Sequence, residues 1–151
     1  MNSIASLTLE VPDPTAAEAF YAAFGVGAHA GVRAAQAPTT GFRGYTLSLV
    51  VSQPNIVDAF LGAALDGGAA PLKPAKKGFW GYGGVVRAPD GAIWKFATPG
   101  LQVSLALLGR HALAKDAGVS PDGTGSHRIV IGSDAGSFTD PDGFAWETAS
   151  V

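Results

Sequence analysis

One ten-residue phrase occurs twice in this chain. Ala88-Pro89-Asp90-Gly91-Ala92-Ile93-Trp94-Lys95-Phe96-Ala97 is matched, 52 residues later, by Asp140-Pro141-Asp142-Gly143-Phe144-Ala145-Trp146-Glu147-Thr148-Ala149. Proline presets φ for a turn, Asp-Gly suits a corner with positive φ at the glycine, and the next residues alternate faces as a half-buried strand does. The repeat predicts two equivalent units, each ending in the same turn and strand. At one position the copies carry opposite charges, Lys95 against Glu147. Both share a parity in the strand, with Trp94, Phe96 and Trp146, Thr148 pointing the other way, so both tryptophans are expected in the core.

Residues Ala5 to Val11 alternate, with Ala5, Leu7, Leu9 and Val11 on one face and Ser6, Thr8 and Glu10 on the other. A helix is expected next, capped by Asp13 with Pro14 at its first position; Ala16, Ala19, Phe20, Ala23 and Phe24 form its apolar stripe, and Gly25 ends it. Ala28 to Ala34 reads as a strand and Gln36 to Gly41 as a loop. Gly44 to Leu49 echoes the first strand, and a second helix is expected from Pro54 to Leu65, closed by Gly67-Gly68. Strand signals follow at Ala70 to Lys73, Gly83 to Arg87 and Ile93 to Thr98. This stretch reads β-α-β-β-β.

Beyond Pro99-Gly100 the pattern changes. Gln102 to Leu108 and Arg128 to Ile131 read as strands around a polar, turn-rich Gly109 to Gly125, and the second Pro-Asp-Gly turn leads into the last strand. No fresh β-α pair precedes these strands. Either they complete the module begun at Ser6, or a β-α piece comes from another chain. The fold class expected is α+β: paired βαβββ modules in a cupped or barrel-like mixed sheet with helices outside, the C-terminal module incomplete. Residues 1–151 read as one domain, with partial modules at 1–35 and 101–151 around a complete one at 42–98.

Composition narrows the function. With 47% hydrophobic and 15% charged residues, the chain can build one sizeable core. A net charge of −2 and a lysine cluster limited to Lys73, Lys76 and Lys77 argue against nucleic acid as partner. The chain has no cysteine, hence neither disulfides nor thiolate chemistry. No apolar run approaches the roughly 18 residues of a membrane helix, and Met1 to Ile4 shows no signal-peptide pattern. A cytoplasmic location with no membrane partner is expected. The glycine-rich Gly78 to Gly84 lacks the lysine and following helix of a phosphate loop, and no nucleophile-elbow context is present.

The βαβββ unit, the Val11-Pro12-Asp13-Pro14 entry, the segment Phe79-Trp80-Gly81-Tyr82-Gly83-Gly84 and both Pro-Asp-Gly-x-x-Trp turns resemble the vicinal oxygen chelate superfamily, which includes glyoxalases, bleomycin-resistance proteins and extradiol dioxygenases. Arg110 to Val119 with Gly123-Thr124-Gly125 is similar to a segment found in some members. The resemblance covers most of the chain and implies two modules curled around a cavity. It also implies a metal held by first-strand and last-strand residues of each module. Here those positions are Ser6, Gly44, Lys95 and Glu147, of which Glu147 alone is a good ligand.

What the resemblance then implies is a small-molecule-binding protein of the bleomycin-resistance type, working without metal or other cofactor. Its ligand would meet Lys95, Glu147, Tyr45, Phe79, Trp80, Tyr82 and Ser6. The alternative is a glyoxalase-like lyase or isomerase, or a dioxygenase, using one divalent metal and Glu147 as ligand or catalytic base. For Lys95 and Glu147 a plain ion pair is an equal reading. Ser6, Thr8 and Glu10 read either as cavity lining or as a solvated face, and His127 either as half a metal site with Glu147 or as a surface histidine. The short C-terminal module leaves strand edges that a homodimer, possibly strand-swapped, would cover.

Overall fold

The computed structural model describes residues 4–23, 30–78, 81–98 and 109–149. The first strand, β1 (Ile4–Val11), buries Leu9 and Val11. The helix α1 (Pro14–Ala22) starts at Asp13, whose side chain accepts the Ala16 N–H at 3.2 Å, as the cap pattern predicts. Its buried face is Ala17, Phe20 and Tyr21, while Ala16 and Ala19 lie outward. This corrects the expected stripe at Ala16, Ala19 and Ala23 and keeps Phe20; Phe24 and Gly25 lie outside the described residues. Tyr21 turns inward because its polar end is satisfied there: the hydroxyl donates to Asp90 Oδ2 at 2.5 Å and accepts from Trp94 Nε1 at 3.2 Å. Burial, then the Asp90 carboxylate, raises its pKa, so the phenol stays a donor. β2 (Ala30–Ala34) runs parallel to β1.

The complete βαβββ unit consists of β4 (Leu47–Val50), α2 (Pro54–Asp66), β5 (Ala70–Gly78), β6 (Gly81–Arg87) and β7 (Ile93–Ala97). Its sheet order is β4-β7-β6-β5, with β4 parallel to β7. Gly44 to Thr46, expected in a strand, precede it. β5 continues past Pro74, where the sequence suggested an end, because it is the sheet's edge and an edge tolerates a missing N–H. α2 packs closely on β6 through Gly84, where a Cβ would stand 2.7 Å from Leu61 Cδ1.

The C-terminal strands complete the module that Ser6 begins. β9 (Ile129–Ser133) pairs antiparallel with β1, β11 (Ala145–Thr148) parallel with β9, and β10 (Phe138–Thr139) closes the order β10-β11-β9-β1-β2. Of the two alternatives, the pairing within this chain follows the first, with the C-terminal strands joined to the module begun at Ser6. The expected strand at Gln102 to Leu108 lies outside the described residues.

Three elements appear where a polar stretch and a loop were expected. α3 (Arg110–Ala117) ends at Gly118 with φ +77°, and β8 (Gly123–Gly125) pairs with β3 (Thr39–Gly41). Two apolar clusters result. The larger joins Leu9, Val11, Phe20 and Tyr21 to Val57, Leu61, Val86, Trp94 and Phe96, packing both helices on one face of each sheet. The smaller packs Ala114 and Ala117 of α3 against Phe42, Val85 and Ile93, on the opposite face of the four-stranded sheet. Trp94 is buried as expected, but Trp146 is half-buried and stacks on Phe138.

Both repeated turns share one backbone frame. Gly91 N–H donates to Ala88 O at 2.8 Å and Gly143 N–H to Asp140 O at 2.9 Å; Ala88 N–H meets Ala92 O at 2.8 Å and Asp140 N–H meets Phe144 O at 3.0 Å. Gly91 and Gly143 have φ of +92° and +88°, the positive values that the Asp-Gly corner predicts.

Candidate functional site

In the five-stranded sheet, Leu7, Leu9, Ile129, Ile131 and Trp146 share the face that carries the core. Strand alternation and register put Ser6, Thr8, Glu10, Arg33 and Glu147 on the other. Arg33 stands opposite Glu10 on the neighbouring strand, and Glu147 lies opposite Gly132, which in turn lies opposite Ser6. On this face the register places Thr8 and the buried Val130 between the Arg33 and Glu147 positions, and the long Arg33 side chain reaches over them; Gly132 has no side chain, and a Cβ there would collide with Ser6 Oγ.

Across this gap Arg33 holds both carboxylates. Its Nη1 and Nη2 donate to Glu147 Oε2 and Oε1 at 3.4 and 3.2 Å, while Nε and Nη2 each donate to Glu10 Oε2 at 3.4 Å. The hydrogen bonds to Glu147, against some desolvation, raise the pKa of the guanidinium. Arg33 and Glu147 side chains are 43% and 51% exposed, so these pairs contribute little stability and remain open to a ligand. With two carboxylates and one guanidinium, the cluster carries one net negative charge. Arg33 was absent from the residues the sequence singled out, because its partners lie 23 and 114 positions away.

Lys95 and Glu147 do not pair. Lys95 has the expected parity, but its ammonium binds Asp116 of α3 at 3.0 Å. α3 thus fills the side of the four-stranded sheet that was expected to line a shared cavity. Tyr82 faces the other way, its hydroxyl donating to Asp58 Oδ1 of α2 at 2.5 Å. Tyr45 packs edge-on against Phe144, and its hydroxyl is buried with no hydrogen-bond partner. Burial pushes its pKa up to about 12, with Arg43 opposing. Phe79 and Trp80 lie outside the described residues. Of the sequence-derived set, Ser6 and Glu147 lie on the same face of the five-stranded sheet as Arg33.

His127 is a structural clamp. Its ring stacks on Phe144 with centroids 3.9 Å apart, Nδ1 is bonded to Arg43 O, and Nε2 lies 3.1 Å from Asp142 O. Both nitrogens are therefore taken by backbone carbonyls. Beside it, Asp140 accepts Trp146 Nε1 at 2.9 Å and the backbone N–H groups of Asp142 and Phe144. Desolvation raises the Asp140 carboxyl, but these three donors and His127 outweigh it and hold the pKa below the ordinary 3.8. Stability from a lowered carboxylate is present above the unfolded-state value and is lost as pH falls through the folded one. The stability gap between wild type and Asp140→Asn is therefore expected to shrink as pH drops below about 4. Urea melts followed by tryptophan fluorescence at stepped pH would show it, and a gap independent of pH would refute it.

The four positions that correspond to metal ligands in the resembling family do not make a set of metal ligands. Gly44 has no donor and lies against Arg110 and His127, Lys95 is itself a cation, and Glu147 is occupied by Arg33. Among the described residues no group of three His, Cys, Asp or Glu is placed to hold a metal. Among them, too, no helix is long and apolar enough to cross a membrane.

No family model matches this sequence, and no curated protein matches it. Solved structures do. A glyoxalase/bleomycin resistance protein from Albidiferax ferrireducens T118 superposes with a TM-score of 0.53 at 22% identity, over 60% of this chain and 93% of that one. A glyoxalase/bleomycin resistance protein/dioxygenase family enzyme from Burkholderia phytofirmans PsJN superposes at 0.52 and 17% identity, over 61% and 94%. Nearly all of each neighbour is matched within about three fifths of this chain. Together with the repeated turns and the intact βαβββ unit, these likenesses establish that the chain has the fold of the glyoxalase/bleomycin-resistance proteins, the vicinal oxygen chelate fold.

Proposed function

We propose that this protein binds a small molecule without a metal or other cofactor, on the face of the five-stranded sheet opposite the core. The observation that carries the reading is the exposed Glu10-Arg33-Glu147 cluster. Three charged side chains from β1, β2 and β11 converge over a floor of Gly132, Ser6, Thr8 and the buried Val130. Since the guanidinium is engaged by both carboxylates, a ligand meets a net negative site, and a small organic cation fits it best. Glu147 is the anchor, being the more exposed carboxylate. The metal-dependent lyase, isomerase or dioxygenase reading lacks donors at Gly44 and Lys95. The proposal places the protein in the cytoplasm and makes it a homodimer joined through the sheet edges at β4 and β10, which light scattering would refute by giving a monomeric mass.

The test is thermal melting in EDTA against a panel of small organic cations that includes metal-free bleomycin. A ligand at a hundred times its Kd is expected to raise Tm by about 5–10 °C for a chain of this size. Glu147→Gln should abolish the shift and Lys95→Gln should keep it. No shift from any compound, or one that survives Glu147→Gln, would sink the proposal.

A further inference from the structure

We infer that Arg33 is a built-in cation, holding Glu10 and Glu147 in the arrangement a divalent metal would otherwise need and thereby keeping metals out of the site. The inference rests on the metal-independent reading above and assigns it to one residue. Two carboxylates that reach the same point from different strands repel each other unless a positive charge stands between them. Here that charge is covalently attached. The Arg33 fork meets both oxygens of Glu147 at 3.2 and 3.4 Å while its Nε edge meets Glu10 at 3.4 Å, so the planar group satisfies both acids at once.

An organic cation can reach Glu147 from its exposed side, away from the guanidinium, whereas a metal ion bound by Glu10 and Glu147 together would need the space the guanidinium fills and would lie within a few ångströms of it. Arg33 cannot relieve that repulsion by losing a proton, because its pKa is raised further by the partners that hold it. The cost is a like-charge contact, so removing the charge should admit the metal, whereas a lysine that keeps it should not. Ser6 and Gly132 at the base of the site are small, and Lys95, paired with Asp116, lies on the four-stranded sheet.

The experiment is Mn2+ titration read by loss of the free-ion electron paramagnetic resonance signal, at neutral pH and low ionic strength. Wild type and Arg33→Lys are expected to show no saturable binding into the low millimolar range. Arg33→Met, and Arg33→Gln as a second neutral variant, should bind at least about tenfold more tightly, and adding Glu147→Gln should remove the gain. Circular dichroism on each variant confirms the fold. Saturable binding to wild type that Glu147→Gln abolishes would overturn the inference, as would folded neutral variants that bind no better than wild type. The EDTA panel reads the other proposal separately. A chain that binds an organic cation in EDTA yet takes up Mn2+ loses only the role of Arg33, and one that excludes Mn2+ but ignores the panel loses only the ligand site.

Discussion

Phe96→Ala should lower stability by about 3–5 kcal/mol, a large part of the roughly 5–15 kcal/mol that holds a domain together. Phe96 is fully buried and stacks on Phe60 and Trp94, with ring centroids 5.8 and 6.4 Å away. It stands opposite Gly84, the residue whose missing side chain lets Leu61 of α2 approach β6. Truncation leaves a void between a sheet and a helix already in contact through glycine, so collapse has little room to refill it. The check is a urea melt in which the midpoint falls while the slope is unchanged. A loss below about 1 kcal/mol would mean the site closes over the void and that this core is looser than its burial indicates.

Arg128→Ala is the second large effect, expected at about 2–4 kcal/mol. Arg128 is 8% exposed, and its guanidinium donates to Ala35 O at 3.0 Å and to Ala37 O at 3.1 and 2.6 Å. It therefore clamps the segment that leaves β2 onto the start of β9 through three charge-assisted hydrogen bonds to backbone carbonyls. Arg128 is also the one described non-glycine residue with positive φ, +57°. Alanine loses the clamp and keeps the backbone strain. Glycine loses the clamp but relieves the strain, by about 1 kcal/mol, so the order of stability should be wild type, Arg128→Gly, Arg128→Ala. An alanine variant within about 0.5 kcal/mol of wild type would remove the clamp from the account, and an alanine variant more stable than the glycine one would remove the strain.

The success and failure of the sequence reading separate by range. The Asp13 cap, the alternation of β1, the span of α2 and the positive-φ glycines of both turns are local consequences of a few neighbouring side chains. All of these are legible in the chain. α3 was not, since its buried face is only Ala114 and Ala117 among charged neighbours, too small an apolar signal for periodicity to detect. That omission spread to the site. Without α3 there was no Asp116 to claim Lys95, so Lys95 and Glu147 appeared to be companions.

Arg33 shows the same limit from the other side. Its neighbours on the chain, Val32 and Ala34, give no hint that it meets Glu10 and Glu147, and the encounter requires β2, β1, β9 and β11 to lie in that order. A strand's own residues decide which face each side chain takes, because alternation is a property of extended backbone. They do not decide which strands lie beside it. The sequence by itself determined the turns, the cap, the faces and the presence of a βαβββ unit. Only the tertiary structure decided which charges meet, because strand order is set by burying apolar faces from the whole chain, and the polar face receives whatever partners that burial brings together.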